Sequence, residues 1–128
     1  MPSDKSALQK LLAIENAARA FGFEWPDHNM VIDQAISESE EVREAIELGE
    51  SAARIQEEIG DLIHTAISLC VFEGFDVEQT MQRAADKFTV RMRAMQKLAA
   101  EHGLQSVHGQ SLDFQMQLWG QAKESCGS

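Results

Sequence analysis

Residues 38–61 read ESEEVREAIELGESAARIQEEIGD, and no other stretch constrains the fold as much. It carries Glu38 and Glu41, then Glu58 and Asp61, so each of two carboxylate pairs has its members three residues apart. On a helix, such residues share a face, with Cβ atoms ~5–6 Å from each other. Between the pairs lies Gly49-Glu50-Ser51, where one helix can end and another begin. Folding the segment there as an antiparallel hairpin gives a mirror-symmetric register. Glu38 comes opposite Asp61 and Glu41 opposite Glu58, so four carboxylates converge about two helical turns from the tip.

A convergence of this kind is costly unless water or a cation cancels the repulsion. The four candidate ligands are hard oxygens, with no His or Cys at these spacings. That favours Mg²⁺, with Mn²⁺ as a substitute, over Zn²⁺. The Glu-x-x-His of di-iron bundles is absent. One acidic pair on a helix is ordinarily just solvated; two mirror-related pairs make a candidate site. Ile32, Ala35, Ser39, Val42 and Ile46 form a stripe on the first arm, and Ile55, Ile59, Leu62, Ala66 and Leu69 on the second. At ~100° per residue, Glu38 lies about 40° from Val42 and Glu58 about 40° from Leu62. The acids are therefore expected to flank the buried stripes, as the wall of a site.

The chain of 128 residues is long enough for one domain with its own core, read as residues 1–128. Sparse β-branched residues, two prolines and abundant Ala, Leu, Glu, Gln, Arg and Met predict an all-α fold. A net charge of −10 repels nucleic acid, so an anionic ligand must be received by a local basic patch or through metal. Cys70 and Cys126 form no disulfide framework, which makes a reducing cytoplasm the expected compartment. There is no signal peptide, and the longest apolar run, near 63–72, is interrupted and too short for a membrane.

Taken in order, residues 6–20 read as a helix capped by Ser6 and ended by Gly22, with Leu11, Ile14, Ala18 and Phe21 inward. FEWPDHN is a loop in which Asp27 or Asn29 caps the next helix, and Trp25 is either a packing residue or a lid that stacks on a base. The hairpin's second arm continues to about Phe72, apolar nearly all round and therefore central and buried. His64 within it reads as a hydrogen-bonded core histidine. Gly60 permits close approach of a helix or a phosphate. After Asp76, with Gln79 completing a capping box, a long helix runs to about Glu101 with Val77, Met81, Ala84, Phe88, Met95 and Leu98 inward. Arg83, Lys87 and Arg91 recur at i, i+4 and i+8, with Arg93 and Lys97 beside them. That is five of the 11 basic residues on one helix, either a solvated face or a phosphate clamp. Ser111 caps a last helix with Leu112, Met116 or Gln115, Trp119 and Ala122 inward, and 124–128 reads as a frayed tail. No Walker-type loop, dinucleotide-binding glycine motif or internal repeat occurs.

These features together resemble the MazG family of all-α nucleoside triphosphate pyrophosphohydrolases. The family signature is Glu-Glu-x-x-Glu followed by Glu-x-x-Asp. Here the parts read Ser37-Glu38-Ser39-Glu40-Glu41 and Glu58-Ile59-Gly60-Asp61. FEWPD at 23–27, GDLIHTAISL at 60–69, DKFTVRMR at 86–93 and MQLWGQAK at 116–123 resemble family segments in the same order. The resemblance implies a four- to five-helix bundle that pairs through its helices into a homodimer or homotetramer, with sites near subunit interfaces. It implies hydrolysis of an NTP or dNTP to the monophosphate and pyrophosphate with Mg²⁺, in nucleotide-pool house-cleaning. Carried over by position, the metal ligands are Glu38, Glu41, Glu58 and Asp61, and Lys87, Arg91 and Arg93 are triphosphate contacts.

Three departures bear on activity: Ser37 stands for the motif's first Glu, Gln34 for a Lys one turn earlier, and Ala85 for an Asn before Lys-Phe. The mechanism needs phosphate charge neutralised, a water activated and pyrophosphate stabilised as it leaves. Glu38 or Glu41 can accept the water's proton. The alternative is a catalytically weak or inactive nucleotide–Mg²⁺ sensor of the same fold. A plain helical interaction protein is the second rival. Base, sugar and attacked phosphorus stay open.

Overall fold

The structure, a computed structural model, describes residues 5–127. Five helices and no strand occur among the described residues, as the composition predicts: α1 (Ala7–Phe21), α2 (His28–Glu47), α3 (Ala52–Phe72), α4 (Val77–Glu101) and α5 (Leu112–Ser125). No helix among them is long and apolar enough to cross a membrane. The chain divides into two compact units, the first ending at Val77 and the second beginning at Glu78.

In the first unit local chemistry sets the helix ends. Ser6 Oγ accepts from Gln9 N (3.1 Å) while Ser6 N donates to Gln9 Oε1 (2.9 Å), a reciprocal capping box. Gly22 closes α1 at φ 103°, a conformation that favours glycine. Of the two candidate caps in the loop, Asp27 is the one used: its Oδ1 accepts from Met30 N (3.0 Å). Gly49, at φ 66°, turns the chain after α2, and Ser51 Oγ caps α3 through Arg54 N (3.2 Å). That leaves four residues between the arms, so α2 and α3 pack along each other as a tight helical hairpin. Among the described residues, α1 packs against α3.

What is buried between these helices differs from what the apolar stripes predict. In α2 the buried residues are Val31 and Ala45, with Gln34 and Glu38 half-buried between them; Ile32, Ile36 and Ile46 are exposed. In α3 they are Glu58, Thr65, Ile67 and Ser68, whereas Ile63 is 54% exposed. In α1 the buried residue is Glu15, while Ile14 and Phe21 are exposed. Each helix is rotated relative to the expected stripe. Glu38 and Glu58 therefore lie in the buried line rather than beside it, and α3 is not buried all round. The line 31–34–38–45 has the same 3–4 spacing as the isoleucine stripe, so either face satisfies helical periodicity. The face turned inward is the one that gathers polar groups.

In the second unit, α5 returns to α4 through large side chains. The Phe88 and Trp119 rings sit 5.8 Å apart, and His102 meets Phe114 edge-on at 5.2 Å. Leu118, Ala122 and Ala99 are buried. Gln115, not Met116, turns inward and donates to Gln110 O (2.9 Å); Leu112 and Met116 are exposed. Met81 and Phe88 are also exposed, against expectation. Ser111 caps α5 as predicted (3.1 Å to Phe114 N). The last helix holds to Ser125 instead of fraying at 124, and Ser128 lies outside the described residues.

Candidate active site

The hairpin register brings the acids together. One carboxylate oxygen from each of Glu38, Glu58 and Asp61 lies within 4.8 Å of the others. Glu58 is 7% exposed, Glu38 half-buried and Asp61 exposed, so the cluster runs from the hairpin interior out to solvent. Like charges this close repel by several kcal/mol at an effective dielectric of ~20. Protein donors cancel part of this. Gln34 Nε2 donates to Glu38 Oε1 at 2.7 Å, and Arg54 Nη2 lies 2.7 Å from Glu58 Oε1. The second oxygen of each carboxylate, Glu38 Oε2 and Glu58 Oε2, is buried with no hydrogen-bond partner. A buried acceptor with no donor is expensive. Two of them, in an all-oxygen donor set, fit a hard divalent cation.

Glu41 is exposed and lies outside the set of three. It belongs to the same electrostatic cluster. Its carboxyl is raised above its ordinary value, first by a hydrogen-bonding interaction with Glu38, then by Glu38's charge and slight desolvation, with smaller effects from Glu58. Arg54 was not singled out from sequence, although its i,i+4 spacing from Glu58 was visible. With Glu41, Glu44, Glu50 and Glu58 it lines a polar cleft of about 280 Å³ on the turn side of the acids. Gly60 leaves open space: a Cβ built there meets nothing within 4 Å.

Toward the other end of the hairpin, half-buried Trp25 forms part of the wall of a pocket of about 360 Å³. Ile14, Ala18, Pro26 and Met30 supply apolar walls beside it. Glu15 and Ser68, 8% and 4% exposed, are its buried polar residues, and Glu24 also lines it. Ser68 Oγ donates to Glu15 Oε1 (2.7 Å), and His64 Nε2 lies 3.0 Å from Glu15 Oε2. His64 is thus hydrogen-bonded, as expected, but it sits half-exposed at a pocket wall rather than in a core. Sequence reading missed Glu15; its one signal was an acid inside the apolar run LLAIENAA. At ~1.5 Å per residue, Met30 lies about 12 Å along α2 from Glu38, and Ser68 about 10 Å along α3 from Asp61.

Lys87, Arg91 and Arg93 lie on α4 in the second unit, Arg91 half-buried and the other two exposed. Lys87 and Arg91 share a face, whereas Arg93 points about 160° around the helix from Arg91. Of the three departures from the motif, Gln34 is the one whose side chain is seen in a contact, with Glu38; Ser37 and Ala85 are exposed.

Comparison with known proteins bears on these acids directly. A family model described as the MazG nucleotide pyrophosphohydrolase domain matches residues 27–95, a span that includes all four carboxylates. The nucleoside triphosphate pyrophosphohydrolase of Escherichia coli (strain K12) is 30% identical over 124 residues, which cover 96% of this chain and 47% of that protein. The nucleoside triphosphate pyrophosphohydrolase/pyrophosphatase MazG of Thermotoga maritima is 31% identical over 98 residues, 77% of this chain and 37% of that protein. The chain spans less than half the length of these curated relatives. With more than half of its residues inside the family model, the chain belongs to the MazG nucleotide pyrophosphohydrolase family.

Proposed function

We propose that this chain hydrolyses nucleoside triphosphates, ribo or deoxyribo, to the monophosphate and pyrophosphate in a Mg²⁺-dependent reaction that keeps the nucleotide pool clean. The observation that carries this reading is the pair of buried, unpartnered oxygens, Glu38 Oε2 and Glu58 Oε2, on two members of the acidic cluster. Mg²⁺ held by Glu38, Glu58 and Asp61, with Glu41 as fourth ligand and Mn²⁺ as a substitute, would supply charge neutralisation and an activated water. Gln34 and Arg54 fix the Glu38 and Glu58 carboxylates through the oxygens they occupy. Between the two candidate bases we take Glu41, which is exposed and lies outside the set of three. The water's oxygen forms the new bond to phosphorus, its proton passes to that carboxylate, and the bond to pyrophosphate breaks. Trp25 stacks on the base in its pocket, about 10–12 Å along the hairpin from the acids, a spacing that suits a nucleotide's base and phosphates. On the motif resemblance, Lys87, Arg91 and Arg93 bind the phosphates.

Residues 1–128 act in this reading as one MazG-like domain in the reducing cytoplasm, which suits two free cysteines. The exposed isoleucines of the hairpin, Ile32 and Ile36 on α2 and Ile59 and Ile63 on α3, suit helix pairing in a homodimer or homotetramer.

The test is pyrophosphate release from a panel of NTPs and dNTPs, with and without Mg²⁺, by wild type and by Glu38→Ala/Asp61→Ala. Mg²⁺-dependent release should fall by at least about 10²–10³-fold in the variant, the scale on which a single electrostatic group contributes. A folded wild type that binds nucleotide with Mg²⁺ and releases nothing would instead be a sensor. The loss of a motif carboxylate at Ser37 and the occupation of Glu38 Oε1 by Gln34 favour that second reading.

A further inference from the structure

The pocket beside Trp25 holds a carboxylate that the hydrolytic chemistry does not use. Glu15 is 8% exposed, in a pocket whose other walls are mostly apolar. A carboxylate is not buried cheaply, and this one is met by two groups from α3, the Ser68 hydroxyl, which donates at 2.7 Å, and the His64 ring at 3.0 Å. His64 Nε2 lies 3.0 Å from Glu15 Oε2 and donates to it when that nitrogen carries a proton. Ser68 spends its one hydrogen on Glu15. Each Glu15 oxygen keeps one lone pair beyond the bond it already accepts. The polar side of this pocket therefore presents the remaining lone pairs of the Glu15 carboxylate as acceptors.

We propose that Glu15, held by Ser68 and His64, is the base-selecting group, and that the pocket takes nucleobases presenting an amino group over those presenting carbonyls. The proposal rests on the reading that the acids of the hairpin hold the phosphates, which sets the base at this end. Guanine fits best, because its N1–H and 2-amino group are adjacent donors that a carboxylate accepts together. Cytosine and adenine offer one amino group each. Uracil, thymine and hypoxanthine offer a lone N–H flanked by at least one carbonyl, and they bring an oxygen against a buried negative charge with nothing to pair it. Rejection of this kind is stronger than any difference in stacking, because the faces of all bases stack on Trp25, Pro26 and Met30 alike.

Two ligand pairs isolate the amino group: guanosine against inosine 5′-monophosphate, and cytidine against uridine 5′-monophosphate. Calorimetric titration of the full chain with Mg²⁺ should show the amino member of each pair binding at least about tenfold more tightly, since a pocket that stays partly open discriminates less than a closed one. Glu15→Gln, which can donate as well as accept, should bring each ratio to within about threefold. Ser68→Ala keeps the carboxylate and should keep the preference. If Glu15→Gln does not melt cooperatively, Glu15→Asp, whose charge is drawn back by one methylene, should lose the preference in its place. Equal binding within both pairs by wild type, no binding of any of the four at millimolar concentration, or a preference untouched in the Glu15 variants would overturn the proposal. Monophosphates are bound and not turned over. A preference in binding without pyrophosphate release would therefore remove the hydrolase reading and leave base selection standing. Release without preference would do the reverse.

Discussion

Two buried carboxylate sites lie along the same hairpin, and the protein treats them in opposite ways. At Glu15 both oxygens are met by the chain's own hydrogen-bonding groups, Ser68 and His64. At Glu38 and Glu58 one oxygen of each is met, and the other is buried and bare. The first site is complete as folded. The second leaves two buried acceptors that a cation would match. A buried acid that is fully hydrogen-bonded can act as a fixed reader of what enters, whereas one left unmatched is a demand for positive charge.

The comparison breaks if cations do not distinguish the sites. Mg²⁺ at 1,000 times its dissociation constant should stabilise the wild-type fold by about 4.1 kcal/mol, read as a rise in Tm. Glu38→Gln should lose most of that rise. The same variant should melt higher than wild type in the absence of metal, because it removes one charge from the acidic cluster. A Glu38→Gln protein that is less stable without metal would mean that the cluster is already satisfied as it stands.

The next effect comes from the other site and should ignore metal. Ser68→Ala takes a donor from a buried carboxylate and should cost about 1.5–3 kcal/mol, equally with and without Mg²⁺. A metal-dependent cost would show the two sites to be coupled.

The smallest effect is a pH dependence at Glu41. Its carboxyl is held above the ordinary value of 4.5, chiefly by Glu38. The folded state therefore keeps that proton more readily than the unfolded chain does. Glu41's contribution is fully present below 4.5 and is lost as pH rises through its raised value. In metal-free protein the Tm difference between wild type and Glu41→Gln should change across that interval and be flat above it. A flat difference throughout would separate Glu41 from the cluster.

Much of the acid site was legible because it depends on local spacing. A break at Gly49-Glu50-Ser51 and two carboxylate pairs fix which residues come opposite each other, and the turn is built there by Gly49 and the Ser51 cap. The caps at Ser6, Asp27 and Ser111 were legible for the same reason. The rotation of the helices was not. Apolar periodicity locates the apolar face but not what it meets, and here Ile32, Ile36 and Ile63 face outward while Gln34, Glu38, Glu58 and Thr65 turn inward. Glu15 was missed through the converse habit of assigning an acid on a helix to solvent. The pattern predicted Met81 and Phe88 as core; they are exposed, and Phe88 still meets Trp119.

The short connection between α2 and α3 also orders events in time. Glu41 and Glu58 are 17 residues apart in the chain, and Glu38 and Asp61 are 23. The bonds that make the Glu15 pocket span 49 and 53 residues. Closing a loop costs about 0.6 kcal/mol more for each doubling of its length, and near contacts are met sooner than far ones. A folding chain should therefore form its acidic hairpin first and dock α1 second. The acidic cluster would then exist before the Glu15 pocket, and the hairpin would serve as a self-contained cassette onto which different first helices could be fitted.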